Sequence, residues 1–106
     1  MPFIDLETIS DKELVPGAKA RFVHSETMTL AYWNIEKGAS MPEHNHPHEQ
    51  VVNLIEGKFE LSVAGEQHII TPGKVFVLPS NIPHGGKALT NCRIIDVFHP
   101  VREDYR

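Results

Sequence analysis

The chain has almost no cysteine, no long apolar run and no cluster of basic residues, and each absence removes a class of protein. Cys92 is its only cysteine, so a disulfide framework within the chain is excluded and a buried thiol is expected. No stretch is apolar for long enough to span a bilayer. The amino end, Met1-Pro2-Phe3-Ile4-Asp5, lacks a basic head followed by an apolar run, which predicts a cytoplasmic protein. The formal charge is −4, with no basic run and no basic amphipathic helix. That balance argues against nucleic acid or an anionic membrane as partner, and an anionic ligand would need a local positive site. Long linkers, low-complexity tracts and internal repeats are also missing. What remains is a chain of 106 residues, 41% hydrophobic and 23% charged. This is the size and balance of one domain with one core, spanning residues 1–106.

Helical periodicity is scarce too. In an N-terminal arm over residues 1–18, Phe3, Ile4 and Leu6 predict a short strand. Ser10-Asp11-Lys12-Glu13 has the spacing of a capping box and predicts one helical turn, ended by Val15-Pro16-Gly17. From Lys19 onward, short β-like segments alternate with turn signals: residues 20–23, 28–35, 50–55, 59–63, 67–70, 75–78 and 93–98. The breaks at Lys37-Gly38, Glu56-Gly57, Ala64-Gly65, Pro72-Gly73 and Gly85-Gly86 supply the conformations that strand reversals need. Many short strands at regular spacing predict an all-β sandwich or small barrel.

The most informative stretch is Gly38 to Gly57, GASMPEHNHPHEQVVNLIEG. Residues two apart on an extended strand share a side, so His44 and His46 would aim two imidazoles at one point. A solvated histidine-rich turn is the competing reading, because His, Asn, Pro and Glu are ordinary loop residues. In Gln50-Val51-Val52-Asn53-Leu54-Ile55, the even phase holds Gln50, Val52 and Leu54. If the turn preserves phase back to His44 and His46, Gln50 faces the same interior and Glu49 faces outward. His48, after Pro47, is either an alternative donor or a turn residue supporting the others. A second segment runs from Gly73 through Pro79 and Pro83 to His84. Rigid presentation of His84 beyond two prolines suits a metal ligand, and beside His44, His46 and Gln50 it makes a fourth donor.

These two segments resemble the motifs of the cupin superfamily, G-x5-H-x-H-x3-E-x6-G and G-x5-P-x-G-x2-H-x3-N. Gly38, His44, His46, Gln50 and Gly57 fill the first, with Gln50 replacing Glu; Gly73, Pro79 and His84 fill the second. Asn81 and Ala88 stand where Gly and Asn are usual, and Asn81 still tolerates a left-handed turn. Both motifs lie within residues 38–88. The resemblance implies a single cupin domain, a double-stranded β-helix or jelly-roll barrel. It also implies one divalent transition metal ion (Zn, Ni, Mn, Co or Fe) held in the barrel mouth by His44, His46, Gln50 and His84. Cupins commonly pair through exchanged terminal strands, so a homodimer is implied as well. Three imidazoles and an amide leave the ion its full charge, which suits an anionic or oxygen-rich ligand. They depart from the two-histidine, one-carboxylate set of many iron oxygenases.

Near the carboxyl end, Asp96 shares a phase with Ile94 and Phe98 on an otherwise apolar strand. A carboxylate on an inward face is costly unless paired or protonated, so it points to function. An outward face with a surface cation is the alternative. Arg102 stands beside Glu103 and Asp104, where a solvated tail residue is the plain reading. Together Asp96, Phe98 and Arg102 are similar to the closing Asp-x-Phe-x3-Arg of the KdgF-like pectin-degradation cupins. Those cupins convert 4,5-unsaturated uronate monosaccharides from pectin or alginate breakdown to linear keto forms. The resemblance implies that the metal would bind the uronate and stabilise oxyanion character during ring opening and tautomerisation. It also implies Asp96 as proton shuttle, Arg102 as a bidentate holder of the substrate carboxylate and Phe98 as an apolar wall. The competing functions are another metal cupin enzyme, a dioxygenase or different isomerase, and a non-catalytic sugar-binding or sensing cupin. His24, His68 and His99 read as surface or structural histidines. Tyr32 and Trp33 read as core or dimer packing before sugar stacking, and Arg21 is a further cation that an acidic ligand could meet.

Overall fold

Alternation of apolar and polar residues sorts the chain into faces. Phe59-Glu60-Leu61-Ser62-Val63 buries its odd positions and leaves its even ones half-buried, as a strand with one core-facing side must. The computed structural model describes residues 3–106, and Met1 and Pro2 of the arm lie outside the described residues. Among the described residues are ten strands: β1 Lys12–Val15, β2 Ala18–His24, β3 Thr29–Ile35, β4 Ser40–His44, β5 Glu49–Glu56, β6 Phe59–Val63, β7 Glu66–Ile70, β8 Val75–Leu78, β9 His84–Ala88 and β10 Cys92–His99. They form a six-stranded sheet, β1-β2-β3-β10-β5-β8, and a four-stranded sheet, β4-β9-β6-β7. Every pairing is antiparallel. Trp33, Leu54, Phe59, Leu61, Ile94 and Phe98 fill the space between the two sheets, giving an all-β jelly-roll barrel.

Three local expectations fail for physical reasons. The capping-box spacing at Ser10–Glu13 makes no helical turn: Lys12 and Glu13 lie in β1, in register with Ala20 and Lys19 of β2. Ladder bonds to a neighbouring strand outweigh one side-chain cap. The arm's helical turn is instead Leu6–Thr8, where the Glu7 amide donates to Asp5 Oδ1 at 3.0 Å. Phe3, Ile4 and Leu6 therefore make no strand. Gly85-Gly86 is not a reversal either, but the middle of β9. A Cβ on Gly86 would stand 2.3 Å from the Phe59 ring and 2.6 Å from the Glu60 carbonyl, so this glycine serves close approach between strands.

The outer face of the larger sheet is unusually apolar. Val23, Leu30, Val97, Val51 and Val77 stand in register across β2, β3, β10, β5 and β8. Arg21, Tyr32, Ile95, Asn53 and Val75 form the adjoining row. Val75 and Val77 are each 56% exposed. The Cys92 thiol is buried. Among the described residues, no helix is long and apolar enough to cross a membrane.

Candidate metal centre and active site

The site lies where the two sheets part. His44 and His84 are register partners across β4 and β9 in the smaller sheet. Gln50 and Phe98 are register partners across β5 and β10 in the larger one, with Val52 beside Asp96. His46 is on neither sheet: β4 ends at His44, and residues 45–48 carry the chain across to β5. A shared strand side thus does not explain why His44 and His46 converge, and no continuous phase links them to Gln50. Gln50 is inward and Glu49 exposed because of their own strand, β5. The crossing loop is tied down by the second motif. Asn81, in the left-handed conformation at φ 64°, donates its amide to the His46 carbonyl at 2.7 Å, and Ser80 Oγ donates to the Pro47 carbonyl at 2.6 Å.

Each imidazole is oriented by a backbone carbonyl. Nδ1 of His44 donates to Pro42 at 2.9 Å, Nδ1 of His46 to His48 at 3.0 Å and Nδ1 of His84 to Ile82 at 2.9 Å. This selects the tautomer whose Nε2 is a free lone pair, as neutral imidazole ligands require. Candidate ligand atoms of the three residues lie within 4.8 Å of one another. His84 Nε2 is buried without a partner. His46 Nε2 faces Gln50 Oε1 at 3.1 Å, an approach of two acceptors that a cation between them would relieve. Burial, reinforced by the charges of Arg102 and His84, lowers the His46 pKa to about 4. Burial likewise lowers those of His84 and His48. The donor set therefore fits a divalent cation. Gln50 would supply an amide oxygen beside the three imidazoles.

A cavity of about 250 Å³ opens beside these donors, lined by His44, Gln50 and His84 with Trp33, Asp96, Phe98, Arg102 and Tyr105. His46 does not line it. Asp96 is inward and buried, so the outward alternative fails. Trp33 Nε1, 63 residues away in sequence, donates to Asp96 Oδ2 at 3.1 Å, while Oδ1 has no partner. Burial raises the Asp96 pKa from 3.8 to about 7, against the opposing pull of Gln50, Trp33 and the Arg102 charge. Near neutrality this carboxyl can both give and take a proton.

Arg102 is no solvated tail residue: it is only 6% exposed. Its guanidinium packs over the rings of Phe98 and Tyr105, 4.9 and 4.1 Å from their centroids. Nη1 is buried without a partner. Phe98 also meets the His46 ring edge-on at 5.7 Å.

Other candidates lie elsewhere. Arg21 Nε donates to the Ile9 carbonyl at 2.9 Å and fastens the arm, away from the cavity. His24 contacts Thr29 and His68 contacts Glu66. Tyr32 is half-buried on the outer face, while Trp33 enters the site as a partner of Asp96. Sequence reasoning missed Tyr105 and Val15 on the cavity wall and the pairing of Asp104 with Arg102. The one available signal was an aromatic and an acid close after an arginine.

A two-sheet jelly roll presenting histidines from paired strands at its mouth defines a class, and the chain belongs to it. The cupin family, described as "Cupin domain", matches residues 31–98, so this protein is a cupin. Among cupins it is similar to the pectin degradation protein KdgF of Dickeya dadantii (strain 3937), 32% identical over 106 residues, covering 97% of this chain and 96% of that protein. The structure of KdgF from Halomonas sp. superposes with a TM-score of 0.92 at 28% identity, covering 100% of this chain and 99% of that one. An RmlC-like cupin from Shewanella frigidimarina NCIMB 400 gives a TM-score of 0.92 at 30% identity, covering 98% and 95%.

Proposed function

We propose that this cupin converts 4,5-unsaturated uronate monosaccharides from pectin or alginate breakdown to linear keto forms. One observation carries the reading. Three buried polar atoms without partners border one site: His84 Nε2 suits a cation, Asp96 Oδ1 a proton and Arg102 Nη1 an anion. An acidic sugar undergoing proton transfer beside a metal uses all three. Similarity to KdgF of Dickeya dadantii and of Halomonas sp. supports the same substrate class.

The reaction is an isomerisation and needs no oxidant or second substrate. In ring opening, the anomeric hydroxyl loses its proton, C1=O forms, the C1–O5 bond breaks and O5 takes up a proton, leaving an enol at C4–C5. In tautomerisation, C4 gains a proton and the enol oxygen loses one. Asp96, poised between protonation states, would supply the first proton and recover the second. Arg102 Nη1 would hold the carboxylate, and Phe98 would wall the cavity and brace the guanidinium. A bound Zn, Ni, Mn, Co or Fe ion would supply Lewis-acid polarisation of sugar oxygens.

The test is to mix metal-loaded protein with unsaturated galacturonate and follow loss of conjugated ultraviolet absorbance. Asp96→Asn should slow turnover by about 10²–10⁴-fold, the usual worth of a placed acid–base group. Equal rates would remove Asp96 from the mechanism. No acceleration by wild type would remove the function. Oxygen uptake by iron-loaded protein would then favour a dioxygenase, and tight binding without turnover a sensing cupin.

The proposal includes a homodimer whose contact is the apolar outer face of the larger sheet. Five strands and the two rows described above cover roughly 300 Å² in projection. A standard interface buries roughly 800 Å² per partner, so the contact would extend beyond these rows. A twofold axis along the rows would bring the rim carrying Lys19, Arg93 and Glu56, the last two already paired at 3.7 Å, over the rim carrying Glu49.

A further inference from the structure

We infer that Asp104 is a positioning residue: its carboxylate fixes the Arg102 guanidinium side-on, so that only the Nη1 end is presented to a ligand carboxylate. The inference rests on the uronate reading above and changes how the arginine would be used. Arg102 Nε donates to Asp104 Oδ1 at 3.0 Å and Nη2 donates to Oδ2 at 2.7 Å. That fork is the side-on edge of the guanidinium, the edge a substrate carboxylate would otherwise occupy as a bidentate pair. Nη1 is the guanidinium nitrogen left without a partner.

The surroundings hold this arrangement from every side. Phe98 and Tyr105 pack against the guanidinium. The Arg102 amide donates to Thr29 Oγ1 at 2.8 Å, and the Tyr105 amide closes the turn onto the Arg102 carbonyl at 3.1 Å. That turn brings Asp104 back beside the arginine two residues before it. The arginine side chain is 7% exposed and the aspartate 58%. The carboxylate therefore neutralises a buried cation from the solvent side and leaves the cavity side open. An arginine ordered before the ligand arrives spares the entropy of ordering it during binding, which is where affinity is gained.

The test uses ¹⁵N-labelled, zinc-loaded protein and two probes, galacturonate and galactose, which differ at the carboxylate. In wild type the Arg102 Nε–H resonance, assigned by its loss in Arg102→Lys, should be sharp and slow to exchange. In Asp104→Ala and Asp104→Asn it should broaden or vanish. Galacturonate affinity should fall about tenfold, as for loss of one charge-assisted contact geometry, with galactose affinity unchanged. Asp104→Glu should restore part of both signals. A resonance unchanged in Asp104→Ala, equal losses for both sugars, or tighter galacturonate binding would overturn the positioning role. A resonance lost in Asp104→Ala, with no wild-type preference for galacturonate over galactose, would instead bring down the uronate reading and the role that depends on it.

Discussion

Asp96 and His46 are pushed in opposite chemical directions by the same burial. The carboxyl is held protonated up to about pH 7, and the imidazole is held neutral down to about pH 4. The consequences for stability have opposite signs. Asp96 has a folded pKa above its unfolded value, so the folded state binds the extra proton between the two. In metal-free protein this residue therefore lowers stability as pH rises from about 4 to about 7, by on the order of 4 kcal/mol. His46, His48 and His84 have folded pKa values below the unfolded one. Their contribution is fully present above pH 6.5 and is lost as pH falls through that value. In metal-free protein the carboxyl and the imidazoles therefore oppose one another as pH falls through 6.5. Asp96→Asn should be more stable than wild type at pH 8, with most of that advantage gone by pH 4. Urea unfolding of both proteins at the two pH values checks this, and parallel profiles would mean that Asp96 is not perturbed.

At the scale of elements, the site is a meeting of strand ends. β4 and β9 set His44 against His84, β5 and β10 set Gln50 against Phe98, and the loop between β4 and β5 brings in His46. Glycines make this possible where a side chain would not fit, since β9 passes so close to Phe59 at Gly86. His44→Ala and His84→Ala should each abolish stoichiometric binding of zinc or cobalt, because each removes one of three convergent imidazoles. Metal analysis after dialysis provides the measurement, and full occupancy in either variant would exclude that histidine as a ligand. The strand periods of β5, β6 and β10 were legible because an inward phase repeats at every second position, whereas β8, Val75-Phe76-Val77-Leu78, is apolar throughout and was legible only as a short run between turns. β9 was not, because its Gly85-Gly86 carries the composition of a turn. β1 was not, because a local capping pattern masks a segment that pairs with a distant one.

The whole molecule presents two apolar surfaces of different kinds. The concave one is the cavity between the sheets, capped by Arg102 and Tyr105. The flat one is the outer face of the larger sheet, proposed above to be covered by a second copy. Sedimentation velocity should give wild type a mass twice the 11.9 kDa of one chain. Val97→Lys, which places a charge in the middle of the apolar row, should shift the protein to a single chain with its fold retained by circular dichroism. A monomeric wild type would remove the dimer from the proposed function.

Local chemistry is what the sequence determined by itself: strands from period-two alternation, an inward Gln50 and Asp96 from strand phase, and histidines at cupin spacing. These follow from neighbours along the chain, whose geometry the backbone constrains directly. Tertiary structure alone decided that Trp33 reaches Asp96 across 63 residues. It also decided that Arg102 is buried between two rings rather than solvated, and that Asp104 takes the edge of its guanidinium. Such contacts depend on how two sheets close over one another. Residue spacing along a single strand carries no record of that closure.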